Sequence, residues 1–164
     1  MTEAGPSHSP AAPPGLEIAE RVVHYWVAGF TSDQILRAMR VAGPRRAGAS
    51  YAAYTDWAVE WTRERVFVDV TIHLPKWIEP SAPPAELKAR WGAFVAGLEA
   101  HEAGHRDIAV GAGTAVLALL RSGDVHASPA LARAIERTIE DAREAERVYD
   151  RETQHGEIER IEEV

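Results

Sequence analysis

The chain has no cysteine. Disulfides, thiolate metal sites and cysteine nucleophiles are therefore all excluded, and any transition metal must be held by His, Asp or Glu. Positive charge is also scarce. Eighteen Lys and Arg stand against twenty-five Asp and Glu, a net charge of −7 with seven His neutral. This argues against nucleic acid as the main partner, because phosphate binding wants a basic face. No apolar run is long enough to span a bilayer, which takes about 20 residues; the longest covers 109–120. The first fifteen residues, MTEAGPSHSPAAPPG, lack both a basic and an apolar segment of the kind a secretory signal carries. The expectation is a cytoplasmic chain by default.

What is present suits one domain. The chain has 164 residues, 46% apolar and 26% charged, enough to bury a core while keeping a charged surface. Residues 1–15 are rich in Pro, Ala, Gly and Ser. The expected organisation is a disordered tail over 1–17, one domain over 18–157 and an acidic tail over 158–164. Residues 21–28 (RVVHYWVA) are β-branched and aromatic and predict a strand. Thr31-Ser32-Asp33 offers N-cap chemistry for a short helix with Ile35, Leu36, Met39 and Val41 on its apolar side, stopped by Gly43-Pro44. Residues 52–62 and 65–74 alternate around Trp57, Val59 and Trp61, and around Val66, Val68, Val70 and Ile72. Polar residues at 63–65 join them, which predicts an antiparallel hairpin, with the first strand in the same small antiparallel sheet. Leu74-Pro75-Lys76-Trp77 is expected to end it. The five Trp read as core.

From 85 to 121 there is no proline, and apolar residues fall at helical steps: Leu87, Trp91, Phe94, Leu98, then Ile108, Ala112, Ala115 and Leu119. His101 and His105 fill the gap in that stripe, so two imidazoles take inward-facing places. A second long helix starts at Ser128-Pro129 with a stripe of Leu131, Ile135, Thr138, Ala142, Ala145 and Tyr149. Packed back antiparallel, its far end comes near the two histidines. The fold class expected is α+β: a small antiparallel sheet packed on two long antiparallel helices.

His101-Glu102-Ala103-Gly104-His105 matches the H-E-x-x-H pattern of zinc metallopeptidases. Residues four apart share one helix face, so both imidazoles can reach one ion. Glu102, about 100° round the helix, is placed to hold water rather than metal. Zinc lowers the pKa of its bound water to roughly 7, and Glu102 would take the proton as that water attacks a carbonyl. Chance alone gives about 0.03 such matches in a chain of this composition. The alternative for the two histidines is a hydrogen-bonded core pair. The extended metzincin pattern is excluded, because it needs Gly at 108 and His at 111, where this chain has Ile108 and Gly111. Glu140, Glu144, Asp150, Glu152 and His155 are all candidates for a third ligand, and the residue pattern does not choose among them. His24 and His73 read as sheet residues, and His8 and His126 as solvated. Arg106, Asp107 and Arg143 read as partners between helices or as surface pairs.

Several blocks carry a family resemblance. They are Tyr25 and Gly29; Ala53-Tyr54-Thr55-Asp56-Trp57; Leu74-Pro75-Lys76-Trp77; Trp91 and Phe94 before H-E-A-G-H; and Tyr149-Asp150-Arg151-Glu152-Thr153-Gln154-His155-Gly156. In these the chain, over about residues 22–156, resembles the bacterial predicted secreted Zn-dependent protease family, a domain of unknown function. The resemblance implies a zincin-like fold and zinc metallopeptidase activity on a protein or peptide substrate. It implies His155 as third ligand and Tyr149 as a hydrogen-bond donor to the developing oxyanion. Asp150 would orient a ligand imidazole or bind the metal itself. It also implies export, in contrast to the default set by the N-terminus. By analogy with zincins, a strand edge would bind the substrate. The rival function is a zinc-binding sensor or interaction module without turnover.

Overall fold

The computed structural model describes residues 12–46, 48–122 and 129–153. In chain order the elements are β1 (Leu16–Ala28), α1 (Ser32–Ala42), β2 (Arg45–Arg46), β3 (Ala49–Ser50), β4 (Tyr54–Trp61), β5 (Val66–Ile78), α2 (Ala85–Arg121) and α3 (Pro129–Thr153). The class is α+β, with a three-stranded sheet of order β1-β5-β4, a two-stranded ribbon of β2 and β3, and three helices among the described residues.

The sheet is mixed, not antiparallel throughout. β4 and β5 form the expected hairpin, from Trp61↔Val66 to Tyr54↔His73. β1 runs parallel to β5 from Leu16↔Val66 to Ala28↔Ile78. The reason lies in the chain between β1 and β4. α1 and the β2–β3 ribbon carry the chain to the far side of β5 but leave it at the end where β1 finished, so β4 runs back antiparallel and β5 then rises in the same direction as β1. β1 starts at Leu16, ahead of the strand expected over 21–28, because Val66 N–H bonds the Gly15 carbonyl at 2.8 Å and Leu16 is buried. β5 also runs on past Leu74 through Pro75 to Ile78. β4 stops pairing at His73, so Pro75, which has no N–H, sits where β5 has lost one neighbour.

β5 sets the core. Val66, Val68, Val70, Ile72 and Leu74 alternate inward and are all buried, and α2 lies across them. Approach is closest at Gly113, where an added Cβ would stand 2.2 Å from Val68 Cγ2. The first half of the expected α2 stripe holds, with Leu87 and Leu98 buried. In the second half the buried face is Ala109, Ala112, Val116 and Leu117, while Ala115 is exposed. A stripe stepped by four and three drifts from a helix of 3.6 residues per turn, and contact with β5 selects the face. α3 runs antiparallel to α2. Leu131 and Ile135 line one surface groove with Leu120, and Tyr149 and Thr153 meet His101.

α1 is capped by Thr31, whose side chain accepts from Gln34 N at 3.3 Å, and it buries Ile35, Leu36 and Met39. Val41 falls on its outer face and is 83% exposed. Trp57 and Trp77 are buried and Trp91 half-buried, but Trp26 and Trp61 are exposed. Trp26 alternates with buried Val27 and so faces outward, whereas Trp61 shares the face of Trp57 but is the last residue of β4. No described helix is long and apolar enough to cross a membrane. Residues 1–11, 123–128 and 154–164, with His8, His126 and His155, lie outside the described residues.

Replacing Gly113 by Ala would drive a methyl group into Val68. The expected cost is about 1–3 kcal/mol, the usual range for overpacking a closed core. A thermal melt unchanged from wild type would show that the helix–sheet contact is looser than the geometry implies.

Candidate metal centre

One turn of α2 carries His101, Glu102 and His105, and the last turns of α3 carry Glu146, Tyr149, Asp150 and Thr153. Helical spacing of four puts His101 and His105 on one face and Glu146 and Asp150 on another, and the two faces meet. His101 Nε2, His105 Nε2 and Asp150 Oδ1 form a compact triangle. The two nitrogens are 3.1 Å apart, and they stand 3.3 and 3.0 Å from the carboxylate oxygen. This His-His-Asp group is able to hold a metal ion. It opens onto a cleft of about 290 Å³ lined by Arg46, Tyr51, Tyr54, Thr55, Arg143 and Arg147 as well as by Glu102 and Glu146.

Hydrogen-bond accounting fixes which atoms face the triangle. The Thr153 hydroxyl donates its single hydrogen to the Tyr149 carbonyl at 2.7 Å. Its 3.1 Å contact with His101 Nδ1 therefore has the imidazole as donor. His101 carries its proton on Nδ1 and turns the Nε2 lone pair inward. Two lone-pair nitrogens and a carboxylate oxygen at this separation repel unless a cation sits among them. In the metal-free protein that cation is a proton on His105. Burial alone would lower this imidazole, but the Asp150 and Glu146 carboxylates outweigh it and raise its pKa to about 9.

Glu102 is buried beside the triangle, with 3% of its surface exposed. The Thr55 hydroxyl donates to its Oε2 at 2.6 Å. Burial raises the Glu102 carboxyl above the ordinary carboxylate range, against the opposing pull of Thr55, His105 and His101. Tyr149 lies flat on His101, with ring centroids 5.1 Å apart at 20°, and meets His105 edge-on. Its hydroxyl donates to the His101 carbonyl at 3.2 Å. Gly104 makes this possible, since a Cβ there would fall 2.3 Å from the Tyr149 ring.

Of the acidic candidates for third ligand, Asp150 is the one that reaches the histidines. Glu140 and Glu144 pair with Arg147 on the outer face of α3, and Glu152 is exposed. His155 lies outside the described residues. Arg106 bridges α2 to Glu20 of β1 at 3.0 Å and also meets Asp107. Arg143 turns inward toward Glu146 and Trp57. Four participants were not singled out from the sequence: Thr55, Trp57 and Glu146, which touch the centre's residues, and Gly104 as the seat of Tyr149. The available signal was the second i,i+4 pair, Glu146 and Asp150, set on a helix expected to run antiparallel to the first.

Residues 22–156 match the family described as bacterial protein of unknown function, DUF922. The chain belongs to this family. No curated protein and no solved structure matches it. The DUF922 match takes in all of α2 and α3, so every residue of the centre described above falls within it. The family description names no activity, and any function for this DUF922 domain is argued from its own side chains.

The His105 shift has a consequence for stability. Its folded pKa of about 9 exceeds the unfolded value of 6.5. The resulting stabilisation is therefore fully present below pH 6.5 and lost as pH rises to about 9, by no more than ~3 kcal/mol. Glu102, raised by burial, acts in the same direction. Urea unfolding of chelator-treated protein should give a lower free energy at pH 9 than at pH 6. His105→Gln should flatten that slope, and a wild-type profile already flat would contradict the assignment.

Proposed function

We propose that this domain is a zinc-dependent hydrolase of peptide bonds, with His101, His105 and Asp150 as the metal ligands and Glu102 as general base. The observation that carries the reading is the triangle of His101 Nε2, His105 Nε2 and Asp150 Oδ1, with sides of 3.0–3.3 Å. Ligand atoms about 2.1 Å from one tetrahedral zinc lie roughly 3.4 Å apart, close to that spacing. The donor set also fits, with two imidazoles presenting lone pairs, one carboxylate and no thiolate. Three protein ligands among the described residues would leave a coordination position open, the pattern of catalytic rather than structural zinc.

When bound, zinc supplies Lewis acidity, polarising the scissile carbonyl and acidifying water. The remaining work falls to the chain. Glu102 stands on the same helical turn and lines the cleft. There its carboxylate would accept the proton of the attacking water and pass it to the leaving amine. Thr55 holds one of its oxygens and so sets the direction of the other. β4 is an edge of the three-stranded sheet, and its first residues Tyr54 and Thr55 line the cleft. An extended peptide laid along that edge would bring its backbone to the centre, which supports a zincin-like reading of the substrate path. Tyr149, engaged with the His101 carbonyl, would have to swing away from it to donate to an oxyanion. In its present place it braces the ligand-bearing turn.

The near-complete burial of Glu102 favours a second reading, a zinc-binding module without turnover. His155 separates the two. Under the catalytic reading, Asp150→Ala loses the equimolar zinc while His155→Ala keeps it. Loss in both variants would mean a site closed by four protein ligands, as the second reading requires.

The direct test is metal analysis of untagged protein, followed by cleavage of an unstructured protein with and without chelator. Wild type should carry zinc and cleave. Glu102→Gln should keep the zinc and lose about 10²–10⁴-fold in rate, the usual contribution of a positioned base. Cleavage that survives Glu102→Gln would rule out the mechanism.

A further inference from the structure

Thr55 and Trp57 occupy alternate positions on β4, so their side chains share one face of the strand, and both are buried. Thr55 reaches Glu102. Trp57 reaches Glu146, a residue not yet given a role. The indole Nε1–H donates to Glu146 Oε1 at 2.6 Å, and Arg143 NH1 donates to Glu146 Oε2 at 3.2 Å. Arg143 is itself fixed by Trp57. Its Cζ lies 3.5 Å from the centroid of the indole ring, and its NH2 donates to the Trp57 carbonyl at 2.7 Å. Oε1 of Glu146 is thus held from the sheet by Trp57, and Oε2 from its own helix by Arg143, which Trp57 in turn fixes.

The carboxylate so held faces His105. Glu146 Oε1 stands 3.4 Å from His105 Nδ1. Nδ1 is the one fully buried side-chain nitrogen or oxygen among the described residues without a hydrogen bond. A contact of 3.4 Å outside hydrogen-bond geometry needs only a small ring rotation to close, and the anion in front of Nδ1 is the group that rewards it. The two ring nitrogens then divide their tasks. Nδ1 carries hydrogen toward Glu146, and Nε2 presents its lone pair to His101 and Asp150.

We infer that Glu146 is the positioning residue of His105: its carboxylate, clamped by Trp57 and Arg143, holds the Nδ1–H and aims Nε2 at the metal position. His101 receives the equivalent service from the Thr153 hydroxyl. The inference rests on the reading of His101, His105 and Asp150 as a zinc site, and it makes β4 the element that orients both the base and a ligand. A merely structural role would be satisfied by glutamine, which keeps the indole hydrogen bond and the packing volume. Orientation of an imidazole N–H toward an anion would not.

The test compares zinc affinity, by competition with a chromophoric chelator, and the visible spectrum of the cobalt-substituted protein for wild type, Glu146→Gln, Trp57→Phe and Glu140→Gln. Glu146→Gln is expected to fold as wild type, lose about 10–100-fold in zinc affinity and shift the cobalt bands. Trp57→Phe should lose affinity in the same direction. Glu140→Gln, which removes a carboxylate from the outer face of the same helix, should bind zinc within about twofold of wild type. Should Glu146→Gln fail to fold, Trp57→Phe carries the comparison. A folded Glu146→Gln protein with wild-type affinity and spectrum overturns the inference while leaving the zinc site standing. A wild-type protein that takes up no zinc overturns both.

Discussion

Acceptor atoms crowd together only around positive charge. His101 Nε2, His105 Nε2 and Asp150 Oδ1 lie within 3.3 Å of one another, and the seat of α3 on α2 depends on what cation occupies that space. Of the described residues of α3, only Ile135 is fully buried, so apolar contact anchors chiefly the first half of the helix. The second half is held by polar groups: Asp150 to the histidines, Thr153 to His101, Tyr149 to the His101 carbonyl, and Glu146 to Trp57. With a proton on His105 this arrangement keeps one positive charge among several carboxylates. With a divalent ion it would keep two. Under the proposed zinc reading, ion binding and the docking of the end of α3 would be one equilibrium.

The sheet enters this equilibrium through β4. Its inward face offers a hydroxyl and an indole N–H two residues apart, and each meets a different carboxylate, Glu102 on α2 and Glu146 on α3. Two charged side chains in a poorly solvated place are costly unless hydrogen-bonded, and β4 supplies those bonds. The hairpin with β5, whose alternate residues make up the core, keeps β4 in register. The rigidity of the apolar core is thereby passed to the polar centre through two side chains.

Much of this was legible in the sequence, and what was not has physical causes. The boundaries of α2 and the inward placement of His101 and His105 follow from a periodic stripe without proline. The hairpin follows from alternation. The parallel pairing of β1 was hidden because strand propensity carries neither direction nor strand order; β1 is parallel because it pairs with β5 rather than with β4. The slip of the α2 face after His105 was hidden because Ala112, Ala115, Val116 and Leu119 are all apolar, and the sheet decides which of them it covers. Glu146 was hidden for the opposite reason. A charged residue on an amphipathic helix reads as solvated unless a partner is known, and its partners, Trp57 and His105, are 89 and 41 positions away.

Tyr149 shows how far a residue pattern reaches. A tyrosine next to the His-His-Asp group invites the role of oxyanion donor, and chemical type supports it. Its neighbours give it a different occupation. The ring lies against Gly104, where a Cβ would collide, and stacks on His101, while the hydroxyl meets the carbonyl of that residue. The glycine inside H-E-A-G-H is therefore part of the same device as the tyrosine 45 positions later. It removes the one side chain that would keep α3 from closing on the ligand-bearing turn. A helix interior normally disfavours glycine by about 1 kcal/mol relative to alanine, and that cost is offset by the closeness it permits. Within this centre, the residue that looks least chemical governs how near the two helices stand, and so whether Asp150 reaches the histidines.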